Sequence, residues 1–145
     1  SKKAAGEAAK MGYINLFLYA EGMPVWEELG YPIIKGPNYE AKIETAKITP
    51  KKLNTLIKSG ADNFIVVDVR DEPEYAEEHI PGAINIPVTS FSMQSEKLEK
   101  NKTIIVYCNA GGRSYMAYRK LISLGYNNFY QALFADWKEA GYKIE

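Results

Sequence analysis

The sequence predicts an α/β fold: a central, mainly parallel sheet flanked by helices on both faces. Three observations carry this. Phe64-Ile65-Val66-Val67 and Ile104-Ile105-Val106-Tyr107 are continuous apolar runs of strand length, so both faces of each strand must be covered. Helical patterns alternate with these runs, as in sheets whose parallel strands are joined by helical crossovers. The second run delivers the only cysteine, Cys108, into a short glycine-bearing loop that opens a helix, and the carboxyl end of a central strand is where such folds carry their sites.

The 145 residues, 46% of them hydrophobic, have room for one good core. Eighteen basic and eighteen acidic residues give zero formal net charge, which argues against a nucleic-acid or anionic-membrane partner. No apolar run approaches the length of a membrane span. A single cysteine excludes an internal disulfide or a cysteine-based zinc cluster, and leaves no second thiol to resolve an intermediate. No metal or organic cofactor is implied. The compartment stays open between cytoplasm and bacterial periplasm.

Taken in order, residues 1–34 read as a helix around Lys2–Met11, a strand around Leu16–Tyr19 and a helix around Pro24–Leu29. Residues 35–40, with Gly36-Pro37, form a linker. Residues 41–145 then form a complete domain. Ala41–Ile48 reads as its first strand, and Thr49-Pro50 as a helix start, with threonine as N-cap and proline at the first helical position. Leu53, Leu56 and Ile57 give that helix one apolar face, and Ser59-Gly60 ends it. After the strand at 64–67, Asp71-x-x-Glu74 is a capping box for a helix through Glu78. A turn at His79–Ala83 leads into a short strand at Ile84–Ile86. Thr89–Lys100 is a polar connection with one helical turn near Ser95–Leu98. A helix over Arg113–Leu124 closes at Gly125, Phe129–Leu133 is the last strand, and Asp136-Trp137 opens a last helix that ends near Gly141.

The chemistry lies in Cys108-Asn109-Ala110-Gly111-Gly112-Arg113-Ser114. Backbone N–H groups of such a loop converge on a point, a helix start adds positive potential, and Arg113 adds a permanent charge. All three favour thiolate over thiol and an anionic substrate. A lone cysteine at a strand end is more often a small buried hydrophobe. That explanation covers Cys108 but not the glycines, which cost entropy and imply a backbone path other residues cannot take.

This loop, Cys108-x-x-Gly111-x-Arg113-Ser114, resembles the active-site loop of rhodanese-type sulfurtransferases, six residues from cysteine to arginine. Its Cys-Asn-Ala-Gly opening is similar to that of single-domain bacterial members. In Cys-x5-Arg phosphatases the arginine comes one position later, where this chain has Ser114; the shorter loop suits a sulfur atom. A second resemblance lies upstream, in Asp68-x-Arg70, Glu74-Tyr75 and His79-Ile80-Pro81-Gly82-Ala83. The family likeness implies a rhodanese-like fold. It also implies sulfane-sulfur transfer from thiosulfate or a similar small anionic donor to a thiol or cyanide, through a persulfide on Cys108. Arg113 would then orient the donor, and Asn109, Ala110, Gly111, Gly112 and Ser114 would line the sulfur. Asp68 and Arg70 would brace the loop as an ionic network, with the acid–base reading second; His79 would be structural. The alternative is a catalytically silent rhodanese-like module that binds a partner or senses redox state. One departure concerns the rim. Family members mostly carry glycines before the last tryptophan, whereas this chain has Leu133-Phe134-Ala135-Asp136, keeping a glycine only at Gly22 in the earlier segment.

The chain also repeats itself. Ser1, Ala4, Gly12, Tyr13 and Asn15 match Ser114, Ala117, Gly125, Tyr126 and Asn128 at constant offset. Trp26, Glu28, Gly30, Tyr31 and Ile33 match Trp137, Glu139, Gly141, Tyr142 and Ile144 after a two-residue gap. On the family resemblance, residues 1–34 are the closing third of a first rhodanese-like repeat. The expectation is a truncated tandem protein, a nicked chain associated with the missing part of that repeat, or a segment-exchanged dimer.

Overall fold

The computed structural model describes residues 2–19, 25–26, 28–32 and 42–145. These fall into two compact units, Ser1–Lys42 and Ile43–Glu145.

In the first unit, helix α1 spans Lys2–Lys10, and Gly12 leaves it at φ 92°. The strand expected at Leu16–Tyr19 is not formed. Among the described residues these have no ladder partner, and a strand without one leaves its N–H and C=O groups to water. Ile14 and Phe17 stand 91% and 97% exposed. Trp26 sits edge-on between Tyr19 and Tyr31, with ring centroids 5.5 and 4.9 Å away, and its indole N–H donates to Pro32 O at 3.1 Å. Ser1, Gly22, the linker 35–40 and part of the helix expected at Pro24–Leu29 lie outside the described residues.

The second unit carries α2 (Pro50–Ser59), β1 (Phe64–Asp68), α3 (Glu72–Glu77), β2 (Ile84–Asn85) and α4 (Phe91–Gln94). A 3-10 turn (Ser95–Lys97), β3 (Thr103–Cys108), α5 (Gly112–Ser123), β4 (Phe129–Leu133) and α6 (Phe134–Glu139) follow. The four strands run parallel in the order β2-β1-β3-β4, with Asp68 beside Tyr107 and Cys108 beside Leu133. Alternation across the pleat divides the core in two. Val67, Ile104, Val106 and Cys108 pack with Phe91 of α4 and Ala117, Tyr118 and Leu121 of α5. Val66, Ile105 and Tyr107 pack on the other side with Leu53 of α2 and Phe134 and Trp137 of α6. The predicted parallel sheet covered on both faces is what the residues build. Leu53 is 1% exposed, and truncating such a leucine to alanine costs about 2–5 kcal/mol.

The caps form as read from the sequence. The Thr49 hydroxyl accepts the Lys52 N–H at 3.4 Å, and Gly60 ends α2 at φ 65°. Glu74 accepts the Asp71 N–H at 3.2 Å at the start of α3.

Three expectations need correction. Of the first strand, expected at Ala41–Ile48, the described residues 42–48 form a strap with one bridge, Lys47 to Gln131, and Ala41 lies outside the described residues. Tyrosine hydroxyls of α5 accept the N–H groups of Ile43 and Ala46, from Tyr115 and Tyr118, each at 3.0 Å, so a longer ladder is not needed to satisfy them. The polar connection after Thr89 contains α4, anchored by Phe91, which is buried among core residues. Helix α6 begins at Phe134 rather than Asp136, directly after β4. Its first side chain is buried in the core and stacks on Tyr107 at 5.8 Å, so tertiary packing, and no side-chain cap, fixes where this helix starts.

Candidate active site

Strand β3 is buried along Ile104–Tyr107, which fixes the position of Cys108 at its end. The Cys108 thiol is surrounded by its own loop. The N–H groups of Gly111 and Ser114 donate to Sγ at 3.2 and 3.3 Å, and the thiol donates to Ser114 Oγ at 3.4 Å. Gly111 makes this turn at φ 97°, a conformation that favours glycine, and a Cβ there would meet Leu133 Cδ2 at 3.3 Å. The Tyr115 N–H donates back to Gly111 O at 2.8 Å, and α5 begins at Gly112 with its N-terminal end at the sulfur. Of the residues expected to line the sulfur, Gly111 and Ser114 are directed at it, while Asn109, Ala110 and Gly112 are exposed on the outer rim.

Arg113 is anchored elsewhere. Its guanidinium forms a two-pronged pair with Glu74 of α3, one prong at 2.8 Å, and reaches Asp71 at 3.4 Å. The hydrogen bond from Arg113 holds the Glu74 carboxyl below its usual range, and the same bond raises Arg113 further, with Cys108 adding to the field it feels. Sequence reasoning took Glu74 as a helix cap and as part of the upstream motif, and did not pair it with Arg113. One of its oxygens does cap α3, and the side chain also meets the arginine of the cysteine loop.

Asp68 and Arg70 form a buried pair at the end of β1. Arg70 Nη2 lies 2.6 Å from Asp68 Oδ2, and Nε donates to both carboxylate oxygens at 3.0 Å. The same guanidinium donates to Glu78 O at 2.6 Å and lies 4.2 Å from the Phe134 ring centroid. Burial alone would lower Arg70, but the Asp68 carboxylate raises it above its ordinary value. This pair holds the chain just after α3, the helix that carries Glu74. Burial, then Asp68, pushes the Tyr107 hydroxyl up, and this hydroxyl accepts the Ile80 N–H at 3.1 Å. His79 stacks on Tyr75 at 4.0 Å with Nδ1 2.9 Å from Tyr75 O, and its backbone pairs with Glu145. These contacts fit the structural reading of His79.

Gln131 escaped sequence reasoning. It lies in the middle of β4, 5% exposed, and its Nε2 donates to Gly111 O at 2.9 Å and to Ser114 Oγ at 2.7 Å. Its Oε1 accepts from the Thr45 hydroxyl at 2.6 Å. The available signal was an amide inside an otherwise apolar strand, Phe129-Tyr130-Gln131-Ala132-Leu133. Among the described residues, no group of three or more His, Cys, Asp or Glu could hold a metal ion, and no helix is long and apolar enough to cross a membrane.

Comparison with known proteins gives the family. Residues 49–140 match the family described as the rhodanese-like domain. The chain is 33% identical over 78 residues to the thiosulfate sulfurtransferase GlpE of Coxiella burnetii, covering 52% of this chain and 73% of that protein. It is 41% identical over 64 residues to the thiosulfate sulfurtransferase PspE of Escherichia coli, covering 43% of this chain and 62% of that protein. The crystal structure of a rhodanese-related protein from Thermoplasma volcanium superposes with a TM-score of 0.61 at 30% identity, covering 69% of this chain and 97% of that one. With its parallel sheet, its cysteine loop at the end of β3 and a family match over most of its length, the chain belongs to the rhodanese-like domain family.

Proposed function

We propose that the protein is a sulfurtransferase that moves sulfane sulfur from thiosulfate, or a similar small anionic donor, to a thiophilic acceptor through a persulfide on Cys108. The observation that carries this reading is the pair of backbone N–H groups, from Gly111 and Ser114, aimed at Cys108 Sγ. Donors fixed in this way stabilise negative charge on sulfur without reorganising during the reaction. The relatives' names, thiosulfate sulfurtransferases, support the same chemistry.

The mechanism is a double displacement. Cys108 thiolate attacks the outer sulfur of thiosulfate. A new S–S bond forms while the sulfur–sulfur bond of thiosulfate breaks, and its electron pair leaves with sulfite. The terminal sulfur of the persulfide carries the negative charge, within reach of the loop that includes Asn109, Ala110 and Gly112. An acceptor, cyanide or a thiolate, then attacks that terminal sulfur, and the electron pair of the broken S–S bond returns to Cys108. A thiolate is itself a strong nucleophile, so no general base is needed. Arg113 attracts the donor electrostatically, and Asp68 and Arg70 support the site from behind α3.

The test is the intact mass of the protein after thiosulfate and then after cyanide. The expected result is a gain of one sulfur, absent in Cys108→Ser, then its loss with thiocyanate released. No gain from thiosulfate, 3-mercaptopyruvate or a polysulfide, with the thiol still alkylatable, would replace this reading with the silent binding or redox-sensing module. Hydrolysis of phosphate esters without sulfur uptake would point to the phosphatase relatives.

A further inference from the structure

We propose that Gln131 is a positioning residue that frees the Ser114 hydroxyl to act as a third hydrogen-bond donor to the Cys108 sulfur when it is ionised. This inference rests on the sulfurtransferase reading of the same loop and extends it to a residue on β4.

The argument is a count of hydrogens. The Gln131 amide can sit only one way round, because Gly111 O accepts and cannot donate, so Nε2 must face it, at 2.9 Å. The second Nε2 hydrogen goes to Ser114 Oγ at 2.7 Å, and Oε1 takes the Thr45 hydroxyl hydrogen at 2.6 Å. The amide is fully used. Ser114 Oγ therefore accepts from Gln131 and has one hydrogen of its own to give. Two acceptors are within reach of that hydrogen: Gly111 O at 3.2 Å and Cys108 Sγ at 3.4 Å.

Which acceptor is used depends on the sulfur. As a thiol, Cys108 donates to Ser114 Oγ, and the serine hydrogen goes to Gly111 O. As a thiolate, Cys108 has no hydrogen to give and offers lone pairs, so rotation of one hydroxyl brings a third donor beside the N–H groups of Gly111 and Ser114. The rotation leaves nothing unsatisfied, because Gln131 still donates to Gly111 O. Without that amide, Gly111 O would keep only the Tyr115 N–H each time the serine turned, so the turn would cost it a donor and the hydroxyl would favour the carbonyl. The charged group whose field reaches the thiol is Arg113, at the start of α5, and its guanidinium is held by Glu74 and Asp71 of α3. Asp68, at the end of the neighbouring strand, is paired with Arg70. None of these groups touches the Gln131 amide, so changing it leaves the charges in place.

The experiment is a pH titration of the ultraviolet absorbance of the thiolate in the full chain. Cys108 is the only thiol, so Cys108→Ser supplies the blank. Gln131→Met, which removes the amide without adding charge, should raise the midpoint by about one pH unit. Ser114→Ala should raise it by a similar amount, and the double variant by no more than the larger of the two. Equal shifts from Gln131→Met in the presence and absence of the Ser114 hydroxyl would overturn the proposal, because the amide would then act through the loop backbone. No shift in a folded Gln131→Met protein would overturn it as well. If Gln131→Met does not fold, Thr45→Val loosens the same amide from its other end. A smaller shift in the same direction supports the proposal, and an unchanged midpoint overturns it. The readout is independent of sulfur transfer, so the inference and the proposed activity fail separately.

Discussion

Arg113 and Glu74 are 39 residues apart in sequence, yet the guanidinium of the cysteine loop and the carboxylate of α3 close a two-pronged pair, one prong at 2.8 Å. The arginine of the cysteine loop is therefore held on α3 by a carboxylate that also partly cancels its charge. Removing that carboxylate should help an anionic donor and weaken the fold. Glu74→Gln should lower the KM for thiosulfate while costing about 1 kcal/mol of stability, the scale of a partly exposed pair. Arg113→Ala should impair thiosulfate use more than alkylation of the thiol by a neutral reagent. Equal loss in both assays would assign Arg113 to the thiolate or the loop fold instead of the donor.

The same pair sets a pH dependence. The Glu74 carboxyl is held below its usual range by Arg113, so in the unfolded chain it binds a proton at higher pH than in the folded one. Its contribution to stability is complete above the ordinary glutamate value of about 4.3 and is lost as pH falls through the lowered folded value. The Tm difference between the wild type and Glu74→Gln should therefore be constant at neutral pH and close on acidification. A difference that widens in acid would mean that another group carries it.

Asp68→Asn leaves the Arg70 charge without its buried counterion, and a loss of about 3–5 kcal/mol is expected in chemical denaturation. The double change Asp68→Leu with Arg70→Met should recover much of that loss. Sulfur charging by the folded double variant separates the two readings of this pair. Charging that survives fits a brace, and charging abolished in a stable protein would restore the acid–base role.

Gly111→Ala should cost about 1–2 kcal/mol from its positive φ, with the Leu133 contact adding to it. Sulfur charging should fall further, roughly 10- to 100-fold, because a shift of this residue misdirects an N–H group aimed at Sγ. Gly112→Ala is the control, since a Cβ there meets nothing within 4 Å. Equal effects at both positions would remove the conformational argument.

We propose that residues 1–34 are the C-terminal remnant of a first rhodanese-like repeat, whose other strands would cover Ile14 and Phe17. Among the described residues, the core clusters of the second unit are built from residues of 43–145. A chain starting at Ile43 should keep the Tm and the sulfur charging of the full chain and lose most of its binding of a hydrophobic dye. A lower Tm would show that the first unit supports the second.

The sheet was legible in the sequence because its central strands are apolar on both sides, and Phe129–Leu133 was placed to the residue. The cysteine loop was legible because glycine is costly where it is not needed. The rest depended on contacts between residues far apart in sequence. Ala41–Ile48 looks like a strand by composition, yet the N–H groups of Ile43 and Ala46 go to the hydroxyls of Tyr115 and Tyr118, which no local pattern encodes. Phe134 starts α6 because Tyr107 and Arg70 lie beneath it, and no local pattern encodes that. Glu74 and Gln131 have local readings, a cap and a strand residue, that hide their longer reach.

The backbone of Gln131 donates to Ala46 O at 2.8 Å and accepts from Ile48 N at 3.0 Å, so the strap before α2 closes on the last strand. In a chain made from its amino end, the strap must wait for β4, and loop-closure entropy makes such a contact late and slow. Because the amide on that strand also ties down the cysteine loop, the loop acquires its full set of hydrogen bonds only when the strap and β4 have met. Nascent or partly refolded chains should therefore carry a cysteine loop not yet fastened to β4, and the rate of Cys108 alkylation followed during refolding reads when it is.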